Sequence, residues 1–257
     1  MEIFLNADTW VALLTLTFLE VVLGIDNIIF ISISANKLPQ KQVKKATLIG
    51  LGLAMLTRIL LLFSISYLIA LKNPFFTLDI GWFKTALTGQ SVILFLGGVF
   101  LLYKSTKEIR HKVDTESEKK IIKTPKVVSF SSVIFQIILI DIVFSFDSIL
   151  TAVGMTNGIE GALTIMIIAV IVSIIIMMIF AQPINIFVNK NPTIQMLALS
   201  FLILIGFMLI AEGAHLSHTE FFNKTVGVIP KGYLYFAIAF SLGVELLNLK
   251  SRKKNNA

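Results

Sequence analysis

The stretch LEVVLGIDNII (residues 19–29) decides the predicted fold, because two acidic residues stand within a long apolar run. The same pattern returns without gaps in IDIVFSFDSIL (residues 140–150). Each copy contains an acid, five further residues, a second acid and then a small polar residue. An internal repeat of this kind predicts that the chain is built from two related halves.

Apolar runs dominate the composition of the 257-residue chain. Hydrophobic residues make up 56% of it and charged residues only 14%, whereas soluble domains carry about 25% charged residues. This deficit excludes an ordinary soluble enzyme. About 20 apolar residues in a helix cross a bilayer, so we predict an all-α polytopic membrane protein with seven transmembrane helices. The predicted spans are Trp10 to Ser34, Ala46 to Leu71, Ser91 to Tyr103, Val128 to Val153, Ala162 to Ala181, Ile194 to Ala211 and Tyr233 to Leu249.

The second acidic motif lies three spans after the first, so the two helices that carry them cross the membrane in opposite directions. The halves are then related by a pseudo-two-fold axis in the membrane plane, as in many secondary transporters. We predict an inverted repeat of three plus three helices with a seventh helix added. The predicted parts are a first repeat (1–104), a cytoplasmic linker (105–127), a second repeat (128–213), and an external loop, last span and basic cytoplasmic tail (214–257).

The positions of lysine and arginine orient the chain. Of the 22, 17 fall in segments that are cytoplasmic when the N-terminus is outside, and four fall in external segments. This positive-inside bias predicts an outside N-terminus and an inside C-terminus. It also explains the net charge of +7 by contact with lipid rather than with nucleic acid. The opening MEIFLNADTW lacks the basic start of a cleavable signal, so the first run is expected to stay in the bilayer. The segment Phe75 to Gly89, with Trp82, is expected at the membrane interface.

Four carboxylates lie within the predicted spans, at Glu20, Asp26, Asp141 and Asp147. Each costs about 2.5 to 3.5 kcal/mol to place at the centre of a bilayer helix. Arg58 is the only basic residue inside a predicted span, and one guanidinium does not balance four carboxylates. Arg58 is interpreted as a counter-ion, and the remaining acids must be protonated or hold a bound cation.

Helical geometry places positions i, i+4 and i+7 on one face. Each acidic motif therefore presents a stripe that combines a carboxylate, a small residue for close helix packing and a neutral oxygen. The two stripes are Glu20, Gly24 and Asn27 in the first span, and Asp141, Ser145 and Ser148 in the fourth. The second acids, Asp26 and Asp147, point to an adjacent face. They converge with the first acids only if the helices are bent or unwound near the small residue.

Carboxylate, amide and hydroxyl oxygens are the ligands that hard divalent ions such as Mg²⁺, Ca²⁺ and Mn²⁺ prefer. The chain has no cysteine, and none of its three histidines lies within a predicted span, which disfavours zinc and copper. We therefore predict that the site takes a hard divalent cation as cargo, with no prosthetic group. Glu245, in LGVELLN near the end of the last span, is a weaker candidate for an accessory ligand.

Six stretches carry a family resemblance: FLEVVLGIDNIIFISI, LTRILLLFS around Arg58, LGGVFLLYKSTKEI, IILIDIVFSFDSILTAVGMT, MLALSFLILIGFMLIAEG and PKGYLYFAIAFSLGVELLNL. They resemble the TerC family of bacterial integral membrane proteins, and especially its short YgdQ-like branch within the lysine-exporter superfamily. The resemblance implies a secondary transporter that exports Mn²⁺ across the cytoplasmic membrane. The ion-binding positions that it implies are Glu20, Asp26, Asn27, Asp141, Asp147 and Ser148.

Two other functions are compatible with the same acids. An intramembrane aspartyl enzyme would use Asp26 and Asp147 as a dyad that shares one proton. The glycine-flanked GxGD context of one such family is missing around Asp26, however. The other alternative is a non-transporting membrane partner that hands metal to secreted proteins. We predict the transporter, and we expect no enzymatic activity.

Overall fold

The computed structural model of the chain describes residues 5–117, 128–156 and 158–255, without the side chains of residues 25, 26, 65, 66, 68, 115–117 and 252–255. This described part is mostly helical, with eight helices and four short strands. The helices are α1 (Ala7–Ala35), α2 (Gln40–Phe63), α3 (Ile65–Ala70), α4 (Gly89–Ser117), α5 (Phe130–Met155), α6 (Ala162–Lys190), α7 (Pro192–Leu216) and α8 (Lys231–Asn255). The strands are β1 (Pro74–Asp79), β2 (Phe83–Thr88), β3 (Glu220–Phe221) and β4 (Lys224–Thr225).

Six helices of the described part are long and apolar enough to cross a membrane: α1, α2, α5, α6, α7 and α8. This agrees with the predicted polytopic membrane protein. The third predicted span, Ser91 to Tyr103, is the apolar half of α4, and the helix continues through charged residues to Ser117. This continuation includes the start of the predicted linker, whose residues 118–127 lie outside the described part. Seven membrane crossings and the inverted repeat therefore stay predictions.

The prediction of an all-α fold is wrong at one place. The segment predicted to lie at the interface forms a hairpin of β1 and β2, and β3 and β4 extend it into an antiparallel sheet in the order β1-β2-β3-β4. Gly81, in the turn of the first hairpin, has a φ of 83°, which glycine adopts at little cost. Between the hairpins, Lys84 pairs with Glu220 and Phe83 with Phe221. Aromatic and β-branched residues favour such pleated surfaces.

The elements fall into two compact units. The first contains α1, α2, α3, α5 and α6, and the second contains the sheet, α4, α7 and α8. Within the first unit, α5 packs against both α1 and α2; within the second, α4 packs along α7. Each unit therefore draws helices from both predicted repeats. The first unit brings the two acidic motifs into one core.

Apolar side chains surround both motifs in that core. Phe30 and Ile31 of α1 and Ile137, Ile140 and Phe146 of α5 are each at most 2% exposed. Helices that are apolar on all sides are typical of buried or membrane-embedded positions. The buried acids of the motifs, Glu20 and Asp141, consequently lie in surroundings of low dielectric constant, where an unpaired charge is expensive.

Candidate functional site

The first acidic motif presents its predicted stripe on a buried face of α1. This helix starts after Asn6, whose side chain accepts a hydrogen bond from the Asp8 amide, and it runs without interruption to Ala35. Glu20 and Asn27 are buried. A Cβ added to Gly24 would overlap the sulfur of Met177 in α6, so this glycine makes room for the Met177 side chain.

The second motif lies on α5, which is also unbroken. Asp141 is completely buried, and the Ser145 hydroxyl one turn later donates to its Oδ2 atom at 3.2 Å. Ser148 is buried as well, and its hydroxyl donates to the carbonyl oxygen of Ser145 at 3.3 Å. The geometry of α5 therefore holds the Asp141 carboxylate in place through a hydroxyl of its own helix.

Arg58 of α2 connects the two stripes. Its Nη2 atom lies 2.9 Å from Oδ1 of Asp141, and its Nε atom donates to the same oxygen at 3.3 Å. Its Nη1 atom forms an ion pair with Oε2 of Glu20. The side-chain amide of Asn27 donates to Oδ1 of Asp141. We refer to Glu20, Asn27, Arg58, Asp141 and Ser145 together as the Arg58 cluster.

The charges of the Arg58 cluster do not balance. Two carboxylates face one guanidinium, which leaves one negative charge in the core when both acids are ionised. Side-chain exposures of 3% for Arg58, 5% for Glu20 and 0% for Asp141 leave almost no contact with water to offset it. The Oδ1 atom of Asn27 is buried and has no hydrogen-bond partner in the described part of the chain. A negative charge beside a free neutral oxygen can accept a proton or a hard cation.

Asp147, Asp26 and Glu245 are the other acidic residues of the predicted site. Asp147 is half-buried on α5, where a spacing of six residues places it on a different face from Asp141 in a continuous helix. The side chain of Asp26 lies outside the described part of the structure. Glu245 belongs to the second unit, where its Oε2 atom accepts a hydrogen bond from Asn248 at 3.4 Å.

The described residues contain no group of three or more histidine, cysteine, aspartate and glutamate side chains placed to hold a metal ion. In the Arg58 cluster only two side chains are acids, and the group that contacts both is a guanidinium. The metal site therefore stays a prediction. Ser145 was predicted only as a small residue for close helix packing, and its bond to Asp141 was not predicted. The sequence did contain a signal for this bond, because Asp141 and Ser145 are four residues apart and therefore neighbours on one helix face.

The comparisons with known proteins agree with this architecture. A sequence model described as "Integral membrane protein TerC family" matches residues 5–256. The chain belongs to the TerC family. It is 46% identical over 250 residues to "UPF0053 inner membrane protein YgdQ" of Escherichia coli K12, a match that covers 97% of this chain and 96% of that protein.

Two further TerC-type relatives show the range of lengths. A "UPF0053 protein" of Haemophilus influenzae is 43% identical over 252 residues, and the match covers 96% of both chains. The "UPF0053 inner membrane protein YoaE" of Escherichia coli K12 is 40% identical over 253 residues, which are 98% of this chain but 45% of that longer protein. No solved structure matches the chain significantly. The predicted relationship to the YgdQ-like branch of the TerC family is confirmed.

Proposed function

We propose that this TerC-family chain is a secondary transporter that exports Mn²⁺, or a similar hard divalent cation, by alternating access. The observation that carries the proposal is the meeting of Glu20 and Asp141 in one buried cluster. These two acids occupy the same place in the two copies of the repeated motif. Acids from oppositely oriented helices that share one buried site are the arrangement expected where a transporter binds its cargo.

The chemistry of the site supports a hard cation as cargo. The cluster offers carboxylate oxygens and the free amide oxygen of Asn27, and it carries a surplus negative charge. Oxygen ligands of this kind suit Mg²⁺, Ca²⁺ and Mn²⁺, and the family resemblance favours Mn²⁺ among them. Protons that return onto the same carboxylates would supply the driving force, because protons and metal ions compete for one charge.

The proposal also states which membrane contains the chain and how the chain is oriented in it. Relatives of the chain are named inner membrane proteins, so we place it in the bacterial cytoplasmic membrane. The lysine and arginine bias supports an outside N-terminus and an inside C-terminus. In this role the chain moves an ion without converting it chemically and needs no prosthetic group.

Transport by the purified protein tests the proposal. Proteoliposomes that contain an Mn²⁺-sensitive dye would report uptake by the wild type, by Asp141→Asn and by Asp114→Asn. Asp114 is an exposed carboxylate near the end of α4, where it pairs with Arg110 at 3.5 Å, and it provides a matched control. We expect wild-type flux from Asp114→Asn and flux at the level of empty liposomes from Asp141→Asn. Equal flux in all three samples, or none in the wild type, would contradict the proposal.

A further inference from the structure

The two carboxylates at the centre of the proposed cargo site are both held by Arg58. Separate nitrogens of its guanidinium reach Glu20 and Asp141. Asp141 is the more completely bonded acid, because its Oδ1 also accepts from Asn27 and its Oδ2 from Ser145. A divalent cation that binds the same oxygens therefore competes with the bonds that Arg58 makes.

Simultaneous binding of a guanidinium and a divalent cation to this pair of acids is electrostatically unfavourable. Both would carry positive charge within about 5 Å of each other, and their repulsion is poorly screened away from water. The side chain of Arg58 is 3% exposed, so solvent screens it little. Arginine also has several rotatable bonds, and its guanidinium can leave the acids by a change of rotamer while α2 stays in place.

We propose that Arg58 is a tethered substitute for the cargo, bound to Glu20 and Asp141 in the empty transporter and released from them when a divalent cation binds. This inference rests on the proposed function. It gives Arg58 a role in the transport cycle beyond that of a structural counter-ion. In the cargo-free protein, two ionised carboxylates without a positive partner would have a high free-energy cost in the apolar core. Arg58 offsets one of the two negative charges and a returning proton offsets the other, so the cargo-free protein can return.

Infrared difference spectroscopy tests the release of Arg58 directly. The chain has three arginines, Arg58, Arg110 and Arg252. Replacing the last two by lysine leaves Arg58 as the only one, and its guanidinium can then be labelled with ¹⁵N. We expect Mn²⁺ to shift the label-sensitive guanidinium bands together with the carboxylate bands.

The possible spectra separate this inference from the function on which it rests. Carboxylate bands that respond to Mn²⁺ while the guanidinium bands stay unchanged would overturn the role of Arg58 and leave cation binding intact. A wild type in which neither set of bands responds to Mn²⁺, Mg²⁺ or Ca²⁺ would overturn both.

Variants at Arg58 test its part in the return step. We expect Arg58→Gln, purified in Mn²⁺, to bind Mn²⁺ at least about tenfold more tightly, a change of about 1.4 kcal/mol. It should still exchange Mn²⁺ for Mn²⁺ across the membrane but lose net efflux, because only net efflux needs the empty protein to return. Arg58→Lys keeps the positive charge and should restore part of the net efflux. Arg110→Gln, on the exposed end of α4, should behave like the wild type.

Three results would overturn the role of Arg58. The first is weaker Mn²⁺ binding by Arg58→Gln, and the second is a parallel loss of exchange and net efflux. The third is an Arg58→Gln protein that aggregates even in Mn²⁺, because bound cargo should neutralise the two acids in place of the missing arginine.

Discussion

Two helix interfaces in this protein are built in opposite ways. Where α2 and α5 meet α1, the contact includes the buried charges of Glu20, Arg58 and Asp141. Where α4 meets α7, the two backbones approach each other closely. A Cβ added to Gly98 of α4 would lie 2.5 Å from the carbonyl oxygen of Gly206 in α7. Small residues stabilise helix pairs in membranes through packing. Buried ion pairs contribute little to stability once desolvation is counted. This contrast is what we expect if the first interface binds the cargo of the proposed transporter and the second holds two helices together.

The largest expected effect comes from removing all three charges of the first interface together. The triple variant Glu20→Gln, Arg58→Met and Asp141→Asn should lose Mn²⁺ flux by about 100-fold or more, a loss of roughly 3 kcal/mol. Its free energy of unfolding should be unchanged or raised by about 1 to 4 kcal/mol, because neutral side chains no longer need desolvation of charge. Flux in proteoliposomes and thermal unfolding in detergent measure the two quantities.

The matched control removes an exposed ion pair instead. Arg110→Met with Asp114→Asn breaks the pair on α4, whose side chains are 83% and 59% exposed, and it should change neither flux nor stability measurably. Unfolding of the triple variant at a much lower temperature than the control would mean that the charges hold the first interface together. The contrast between the two interfaces would then fail.

The next largest effect concerns the glycine contact of the second interface. Gly98→Ala forces a methyl group against the backbone of α7 and should lower stability by about 1 to 3 kcal/mol. Transport per folded molecule should stay at the wild-type level. Gly52→Ala is the control, because its Cβ would meet only Met178 Cε at 4.0 Å. Equal thermal unfolding of the two variants would show that close packing at α4 and α7 contributes no special stability.

A smaller effect distinguishes two equivalent positions of the repeat within the first interface. Asn27 donates to Asp141, whereas Ser148 donates to the backbone of its own helix. Asn27→Leu should raise the half-saturating Mn²⁺ concentration by about tenfold, as loss of a group that orients a metal ligand commonly does. Ser148→Ala should change it much less. Dose–response curves of flux measure both concentrations. If the hydroxyl of Ser148 contacts the cargo, Ser148→Ala will raise the half-saturating concentration more than Asn27→Leu.

The smallest effect is spectroscopic and concerns the sheet of the second unit, at the turn between β1 and β2. Trp82 is 54% exposed beside Phe222, with ring centroids 5.9 Å apart. Aromatic residues concentrate at membrane interfaces. In a Trp10→Phe background Trp82 is the single tryptophan, and brominated phospholipids should quench its fluorescence without any change in transport. Quenching by aqueous acrylamide alone would place the sheet in water and leave the second unit without this lipid contact.

The candidate site could be predicted from the sequence only in part. Helical spacing placed Glu20 and Asn27 on one face of α1, and both are buried there. It also turned Asp147 away from Asp141, in agreement with an unbroken α5. Spacing along one helix says nothing about which other helix packs against it, however. The bonds that Arg58 makes to Glu20 and Asp141 span 38 and 83 residues of chain, so no local pattern contains them.

The sheet was not predicted from the sequence, for a related reason. The segment Phe75 to Gly89 was predicted only to lie at the membrane interface, and the pairing of β2 with β3 joins segments far apart in the chain. Strand pairing depends on such distant partners, so it is more sensitive to context than helix formation.

Composition and run lengths were sufficient to predict a helical membrane protein, because the cost of burying a backbone or a charge in lipid constrains every span separately. The repeated acids predicted a shared buried site, and Glu20 and Asp141 do meet at Arg58. Packing alone placed one arginine against two of those acids and separated a charged helix interface from a glycine-lined one. Those arrangements depend on energies between elements that meet only after the chain has folded.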